Sequence, residues 1–317
     1  MKLLLFCQQK IGDFMEIEKA RELGLCFGVR RAIRMLREAA DKYGSIETLG
    51  PIAHNQQLVQ GLAEAGIKPV GELGQVRGKI VAITTHGVSP AVLSEIEARR
   101  IHIINTTCPV VRQAQNAARE LAEAGFDVVI FGEAEHPEVE GLLGWAKGRG
   151  IAALDVKQFV VSSLSLSEKW YNRRCLGIIS QTTQSQSAFF QFVTRLIAIL
   201  PSVTVSQSPD CSQELTRQSI KEVRVVNTLC QATQRRLKSA IELAQRRQLM
   251  IVVGGHDSAN TKRLTEVCSP IVETHLVEGV REVDNSWLEG KQHIGITAGA
   301  STPDEVIEGV VVKLKSL

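Results

Sequence analysis

The chain has 317 residues, 44% of them apolar, with 37 basic against 34 acidic side chains and a formal net charge of +3. That length supports two or three domains with their own cores, and so even a charge balance argues against nucleic acid or a membrane surface as partner. No apolar run reaches the ~20 residues of a spanning helix, and seven cysteines without a secretion pattern point to a reduced cytoplasm, where thiols are read for metal or catalysis before disulfides.

Residues 1–14 hold a short apolar run without a small-residue cleavage site and read as a leader or extension, with Met1 and Met15 both candidate starts. "MEIEKA" (15–20) reads as a strand. Cys26 follows, then a helical pattern on Val29, Ile33 and Leu36, then Gly50 and His54. "KIVAITTHG" (79–87) is a further strand ending at His86. "IHIIN" (101–105) opens the next cycle: Cys108, a helical face of Val111, Ala114, Ala118 and Leu121, and the strand "DVVIFG" (127–132). His136 and Glu138 come next, then the strand "LGIISQTT" (176–183) ending at Thr182 and Thr183. "VRVVN" (223–227) opens a third cycle: Cys230, the apolar positions Leu237, Ile241 and Ala244, and "LMIVVGG" (249–255). Ser258 and Asn260 follow, and "HIGITAGAS" (293–301) ends at Ser301.

The cycles keep register. Cys26 to Gly50, Cys108 to Gly132 and Cys230 to Gly254 each span 24 positions, and His54, His136 and Ser258 each lie 28 beyond their cysteine. Fixed-period self-similarity marks a duplicated unit, and strands alternating with helices mean parallel sheets. The fold expected is α/β, three similar domains with parallel sheets in a pseudo-threefold arrangement around a central cluster site. The expected boundaries are 22–105, 106–222 and 223–317, the last completed by strand 15–21. Ligands sit at the carboxyl ends of strands in such sheets, which is where Cys26, Cys108, Cys230, His54, His136, Ser258, His86, Thr182 and Ser301 all fall.

Three thiolates meeting at one point suit zinc or an iron–sulfur cluster, and a helix starting beside each cysteine favours the thiolate. Three ligands on a four-iron cluster leave one iron open, whereas a structural site closes with four. Cys7, Cys175, Cys211 and Cys268 have no counterparts in the other cycles and read as structural. The histidines, with Thr182, Thr183, Ser258, Asn260 and Ser301, are donors for an anion, and protonated histidines would attract phosphate. Neighbouring glycines let backbone amides approach. Glu138 is out of place against an anion unless it is a proton donor of raised pKa; Glu140 reads as solvated.

"CFGVRRAI", "HNQQLV", "THGVS", "TTCPVV", "HPEVEG", "SQTTQS", "CQATQRR", "DSANTKRL" and "GITAGASTPD" occur in the order found in the 4-hydroxy-3-methylbut-2-enyl diphosphate reductase family, and the chain resembles that family over roughly residues 15 to 312. The resemblance implies a [4Fe–4S] cluster on Cys26, Cys108 and Cys230, with one iron open to the substrate's hydroxyl. It implies a diphosphate subsite of His54, His86, His136, Ser258, Asn260 and Ser301. Catalytic roles fall to Glu138, Thr182 and His136, with proton delivery by Glu138 and Thr182. It further implies an allylic diphosphate substrate, isopentenyl and dimethylallyl diphosphate as products, and a ferredoxin or flavodoxin as electron donor.

The chain departs from the family pattern in two places. Ser258-Ala259-Asn260 stands where many members have Ser-Ser-Asn, and the polar connection 202–222 is long. Two other readings compete: an enzyme of quinolinate synthase type acting on another acidic small molecule, and a zinc or redox sensor. Neither accounts for "HPEVEG" together with the histidine set.

Overall fold

The computed structural model describes residues 15–165, 175–200 and 220–317. The segment 1–14, most of the 202–222 connection, Cys7 and Cys211 lie outside the described residues. The first sheet is built from β2 (Ile46–Leu49), β3 (Ile67–Val70), β4 (Ile80–Ile83) and β5 (His102–Asn105), in the order β3-β2-β4-β5. The second holds β6 (Asp127–Phe131), β7 (Gly150–Ala153), β8 (Cys175–Ser180) and β9 (Glu222–Val225), in the order β7-β6-β8-β9. The third joins β1 (Glu16–Lys19) to β10 (Leu249–Val253), β11 (Thr274–Val277) and β12 (His293–Ala298), in the order β1-β12-β10-β11. Every strand pair is parallel.

The strand that leads into each cysteine is therefore an edge strand of the preceding unit's sheet. β5 runs into Cys108 and β9 into Cys230. β1 runs into Cys26 and closes on β12, with Ile17 opposite Ile294, so the chain forms a ring of three units. The second sheet runs on to Val225, past the expected boundary at 222.

The helices follow from alternating burial. β10 reads LMIVV and is buried on both faces. Leu249, Ile251 and Val253 pack under α10 (Asp304–Lys315) through Ile307, Val310 and Leu314. Met250 and Val252 face α8 (Gln231–Ala244) and α9 (Ala259–Cys268), through Leu243 and Leu264. β6 repeats the pattern. Val128 and Ile130 lie against α4 (Pro109–Glu123) and α5 (Pro137–Trp145). Val129 and Phe131 lie against α6 (Val156–Ser165) and α7 (Gln186–Ile199), where Phe189 is fully buried. In the first unit α1 (Phe27–Tyr43) and α2 (Gln56–Glu64) cover one face, and α3 (Pro90–Ala98) covers the other. Side chains such as Leu36, Phe189 and Leu314 contribute about 1.5–3 kcal/mol each by burial.

β3, β7 and β11 are not announced by the sequence pattern. Each has four residues and lies at a sheet edge, and β3 carries Pro69, which an edge strand tolerates. Cys268 closes α9 and is buried in the core, and Cys175 opens β8. Among the described residues, no helix is long and apolar enough to cross a membrane.

Candidate active site

Cys26, Cys108 and Cys230 are free, partly buried thiols. Each is the N-cap residue of a long helix, and none makes a side-chain capping bond. Their backbones are held alike: the N–H of Cys26 donates to Ala300 (3.0 Å), that of Cys108 to Thr85 (3.0 Å) and that of Cys230 to Thr182 (2.9 Å). Each acceptor lies in the turn after the strand beside the cysteine's own strand. A Cβ built on Gly28 would lie 2.8 Å from Cys108 Sγ and 3.8 Å from Cys26 Sγ, so two sulfurs crowd one point. Cys108 also feels the charge of both Cys26 and Cys230. The three thiols therefore share one neighbourhood.

The expectation that helix starts favour thiolates holds only in part. The amides of Val110 and Val111 pull the Cys108 pKa down, but burial outweighs them and pushes it up, and repulsion from the other two sulfurs adds to the rise. Cys108 thus resists ionising on its own, while a cationic metal centre would stabilise it as a thiolate. A glycine that leaves room between sulfurs, together with three cysteines each at a helix start, fits a sulfur-ligated centre.

The three backbone bonds also set the register of the turns. Thr85, Thr182 and Ala300 are equivalent, so His86 is matched by Thr183 and Ser301. The set expected as His86, Thr182 and Ser301 is therefore His86, Thr183 and Ser301 by backbone register. Thr183 Oγ1 is buried without a partner among the described residues, as an anion donor in the vacant third place of that set would be.

His54, His86 and His136 form a triangle, with ring centroids 5.2, 5.9 and 5.5 Å apart. Burial first, and mutual repulsion second, push the pKa of His86 down to about 3 and that of His136 down to about 4. Burial also lowers His54, and Lys262 pushes it the same way against Asp257 and Glu133. The site therefore presents neutral imidazoles, which serve an anion as hydrogen-bond donors and not as cations. Their ring nitrogens lie within 4.8 Å of one another, close enough for a metal ion. The tautomer argues against one: Nδ1 of His136 accepts the Glu138 N–H at 3.1 Å, which puts the ring proton on Nε2 and leaves no free lone pair. His136 Nε2–H is a donor, suited to an anion's oxygen.

The other donors are buried and underused. Ser258 caps α9 by accepting from the Thr261 N–H (3.3 Å) and is 5% exposed. Asn260, in the first turn of α9, has neither Oδ1 nor Nδ2 partnered among the described residues, and His54 Nε2 is in the same state. Leaving an amide unpaired in a protein interior costs about 1–3 kcal/mol, which a ligand would relieve. Ser301 is buried in the turn beside Cys26. Glu140 is exposed, as expected of a solvated carboxylate.

Glu138 occupies the first turn of α5 at 2% exposure. Its Oε1 accepts the Thr182 N–H at 2.6 Å, and its Oε2 lies 2.9 Å from Thr182 Oγ1. Burial raises its pKa to about 7 against the lowering effect of both Thr182 bonds. A group poised there exchanges protons readily at neutral pH.

A buried acid beside unpaired donors and a thiol cluster, gathered at the carboxyl ends of three parallel sheets, defines an α/β enzyme. The profile of the LytB protein family matches residues 17–315, and the chain belongs to that family. It is 42% identical over 303 residues to 4-hydroxy-3-methylbut-2-enyl diphosphate reductase of Dehalococcoides mccartyi (strain CBDB1), covering 96% of this chain and 99% of that one. It is 38% identical over 304 residues to the protein of the same name from Geobacter metallireducens, covering 96% and 98%. A solved structure of (E)-4-hydroxy-3-methyl-but-2-enyl diphosphate reductase, described as the terminal enzyme of the non-mevalonate pathway, aligns with a TM-score of 0.63 at 30% identity, over 96% of this chain and 100% of that one. The Plasmodium falciparum E-1-hydroxy-2-methyl-but-2-enyl-4-diphosphate reductase aligns at 0.81 and 23% identity, over 94% and 87%, and shares the fold.

Proposed function

We propose that this chain removes the hydroxyl of 4-hydroxy-3-methylbut-2-enyl diphosphate reductively, giving isopentenyl and dimethylallyl diphosphate and water, with two electrons and two protons consumed per turnover. Cys26, Cys108 and Cys230 would hold a [4Fe–4S] cluster through three thiolates. When bound, that cluster supplies the electrons and a Lewis-acidic iron for the departing oxygen. The electrons come from a small reduced protein of ferredoxin or flavodoxin type, in the cytoplasm.

The chain's own residues supply binding and protons. His54, His86, His136, Thr183, Ser258, Asn260 and Ser301 hold the diphosphate with neutral donors, which orient it. Held by its diphosphate, the substrate presents its hydroxyl end toward the thiol cluster and Glu138. Protonated on Oε2, Glu138 donates to Thr182 Oγ1, and the hydroxyl of Thr182 is then free to donate into the site. Reversing that bond passes a proton from the buried acid to the reacting end. His136 positions this acid through its Nδ1 contact with the Glu138 N–H.

One observation carries the reading: Thr182 binds the Glu138 carboxylate with its N–H and hydroxyl, and its carbonyl takes the Cys230 N–H. The acid is thereby fixed to the loop that bears a metal-ligating thiol. A quinolinate synthase-type enzyme or a zinc sensor has no use for that link. The test is an anaerobic assay on iron-reconstituted protein with a reduced viologen dye. Dye oxidation on adding the hydroxylated diphosphate, with both isomeric products formed, supports the reading; a brown protein inert to that substrate refutes it.

A further inference from the structure

Arg236 is a charged residue in a core position. It lies on the buried face of α8 with Thr233, Leu237 and Ala240, and only 4% of it is exposed. Helical side chains lean toward the helix N-terminus, and for α8 that end is Cys230. The Arg236 side chain leans that way, and its Nη2 donates to the Gly24 carbonyl at 2.7 Å, two residues before Cys26. It thus bridges the helix of one cysteine and the loop of another. Its Nε and Nη1 are buried and have no acceptor among the described residues.

A guanidinium has no neutral form to retreat to at ordinary pH, so a buried one needs an anion. The acidic group acting on it from nearby is Glu22, which also pairs with the exposed Arg235 at 3.7 Å. The sulfurs of Cys26 and Cys230 act on it more strongly than Glu22 does.

We propose that Arg236 is a positioning residue for the metal centre: its two unpartnered N–H groups face the sulfur ligands supplied by Cys26 and Cys230, and its fixed positive charge stabilises the more negative, reduced state of the cluster. The inference rests on the cluster reading above. Hydrogen bonds and charge near the sulfurs are levers by which a protein sets a cluster's potential. Arg236 acts by both and touches no reacting atom.

The experiment compares wild type, Arg236→Lys and Arg236→Met after anaerobic reconstitution. Iron content, the midpoint potential from an EPR-monitored redox titration, and the melting temperature of each apo form are measured. In Arg236→Met the one-electron reduction equilibrium is expected to fall about tenfold, a shift of ~59 mV to more negative potential. Arg236→Lys, which keeps the charge but not the planar fork, is expected to fall between the two. Apo Arg236→Met is expected to melt no lower than apo wild type, because an unpaired buried cation has been removed. Failure of Arg236→Met alone to retain iron, with its apo form still folded, also supports the role. Equal potentials at equal iron content overturn it, as does a large drop in apo melting temperature in both variants with no change in potential, which marks a purely structural arginine. A wild type that takes up no iron overturns the cluster reading itself, and this inference with it, before the variants are compared.

Discussion

Glu138 and Thr182 form a two-point clamp across two elements, with the Thr182 N–H 2.6 Å from one carboxylate oxygen and its hydroxyl 2.9 Å from the other. The pair is 44 residues apart in sequence. The clamp leaves the acid dry yet orients it, and dryness dominates: its pKa is raised to about 7 from an ordinary 4.5.

Glu138→Gln keeps both Thr182 bonds, since the amide oxygen accepts the N–H and the amide nitrogen donates to the hydroxyl. Turnover is expected to fall at least 100-fold with the substrate still bound, in line with loss of a general acid. Stability should move the other way. In the unfolded chain Glu138 ionises above about pH 4.5, but in the fold only above about 7, so the wild type loses stability as pH rises through that window. The loss amounts to about 3 kcal/mol at ~1.4 kcal/mol per pH unit. Urea unfolding at pH 4 and pH 8 checks this: the variant should match wild type at pH 4 and exceed it at pH 8.

Thr182→Val removes the hydroxyl and keeps the N–H and the shape. One bond that lowers the Glu138 pKa is lost, so the acid becomes weaker. The basic limb of the rate–pH profile should move to higher pH, and the rate at its optimum should fall about tenfold with the relay broken. An unmoved limb would show that the hydroxyl does not touch the titrating acid.

Gly28→Ala would place a methyl 2.8 Å from Cys108 Sγ and 3.8 Å from Cys26 Sγ, inside any normal contact for the first. Gly28 sits in the first turn of α1, where alanine suits the backbone. The apo protein should therefore keep its helical circular dichroism while iron retained after reconstitution drops by at least half. Full iron content would mean that the sulfurs do not need the space.

Asn260→Leu separates binding from folding. Neither amide atom is partnered among the described residues, so the substitution should leave the melting temperature within a few degrees or raise it. Affinity for inorganic diphosphate, followed by calorimetry, should fall about tenfold or more. Burial pushes the pKa of His86 down to about 3 and that of His136 to about 4, so both should stay neutral donors with the anion bound. The same titration of wild type in buffers of different ionisation enthalpy should therefore show little proton uptake at neutral pH.

Much of the site is legible in the sequence because it is repeated. The cysteines, the strand-end glycines and the residue 28 places past each cysteine keep the same spacing within each cycle, although the cysteines themselves stand 82 and 122 positions apart, and strands buried on both faces, such as β6 and β10, read as apolar runs. Of the four-residue edge strands, β3 (IKPV), β7 (GIAA) and β11 (THLV) escape notice because none carries a β-branched run or a clear alternation, and a hydrogen-bonded neighbour supplies the rest. Adjacent threonines give no cue to which of them matches His86; only the Cys230–Thr182 backbone bond sets the register and puts Thr183 there. Arg236 belongs to an Arg-Arg pair on an amphipathic helix, and its spacing from Thr233 and Ala240 is what puts it on the buried stripe. Neutral histidines were not legible, because their charge is set by how closely three rings crowd one another.

The central claim is that three thiols hold a four-iron centre with one iron left for the substrate. Mössbauer spectroscopy of iron-57-reconstituted protein, with and without the hydroxylated allylic diphosphate, tests it most directly. The expected result is four irons per chain, of which one alone changes its signal when the substrate is added. Four irons unmoved by the substrate, or a colourless protein carrying zinc, would contradict it.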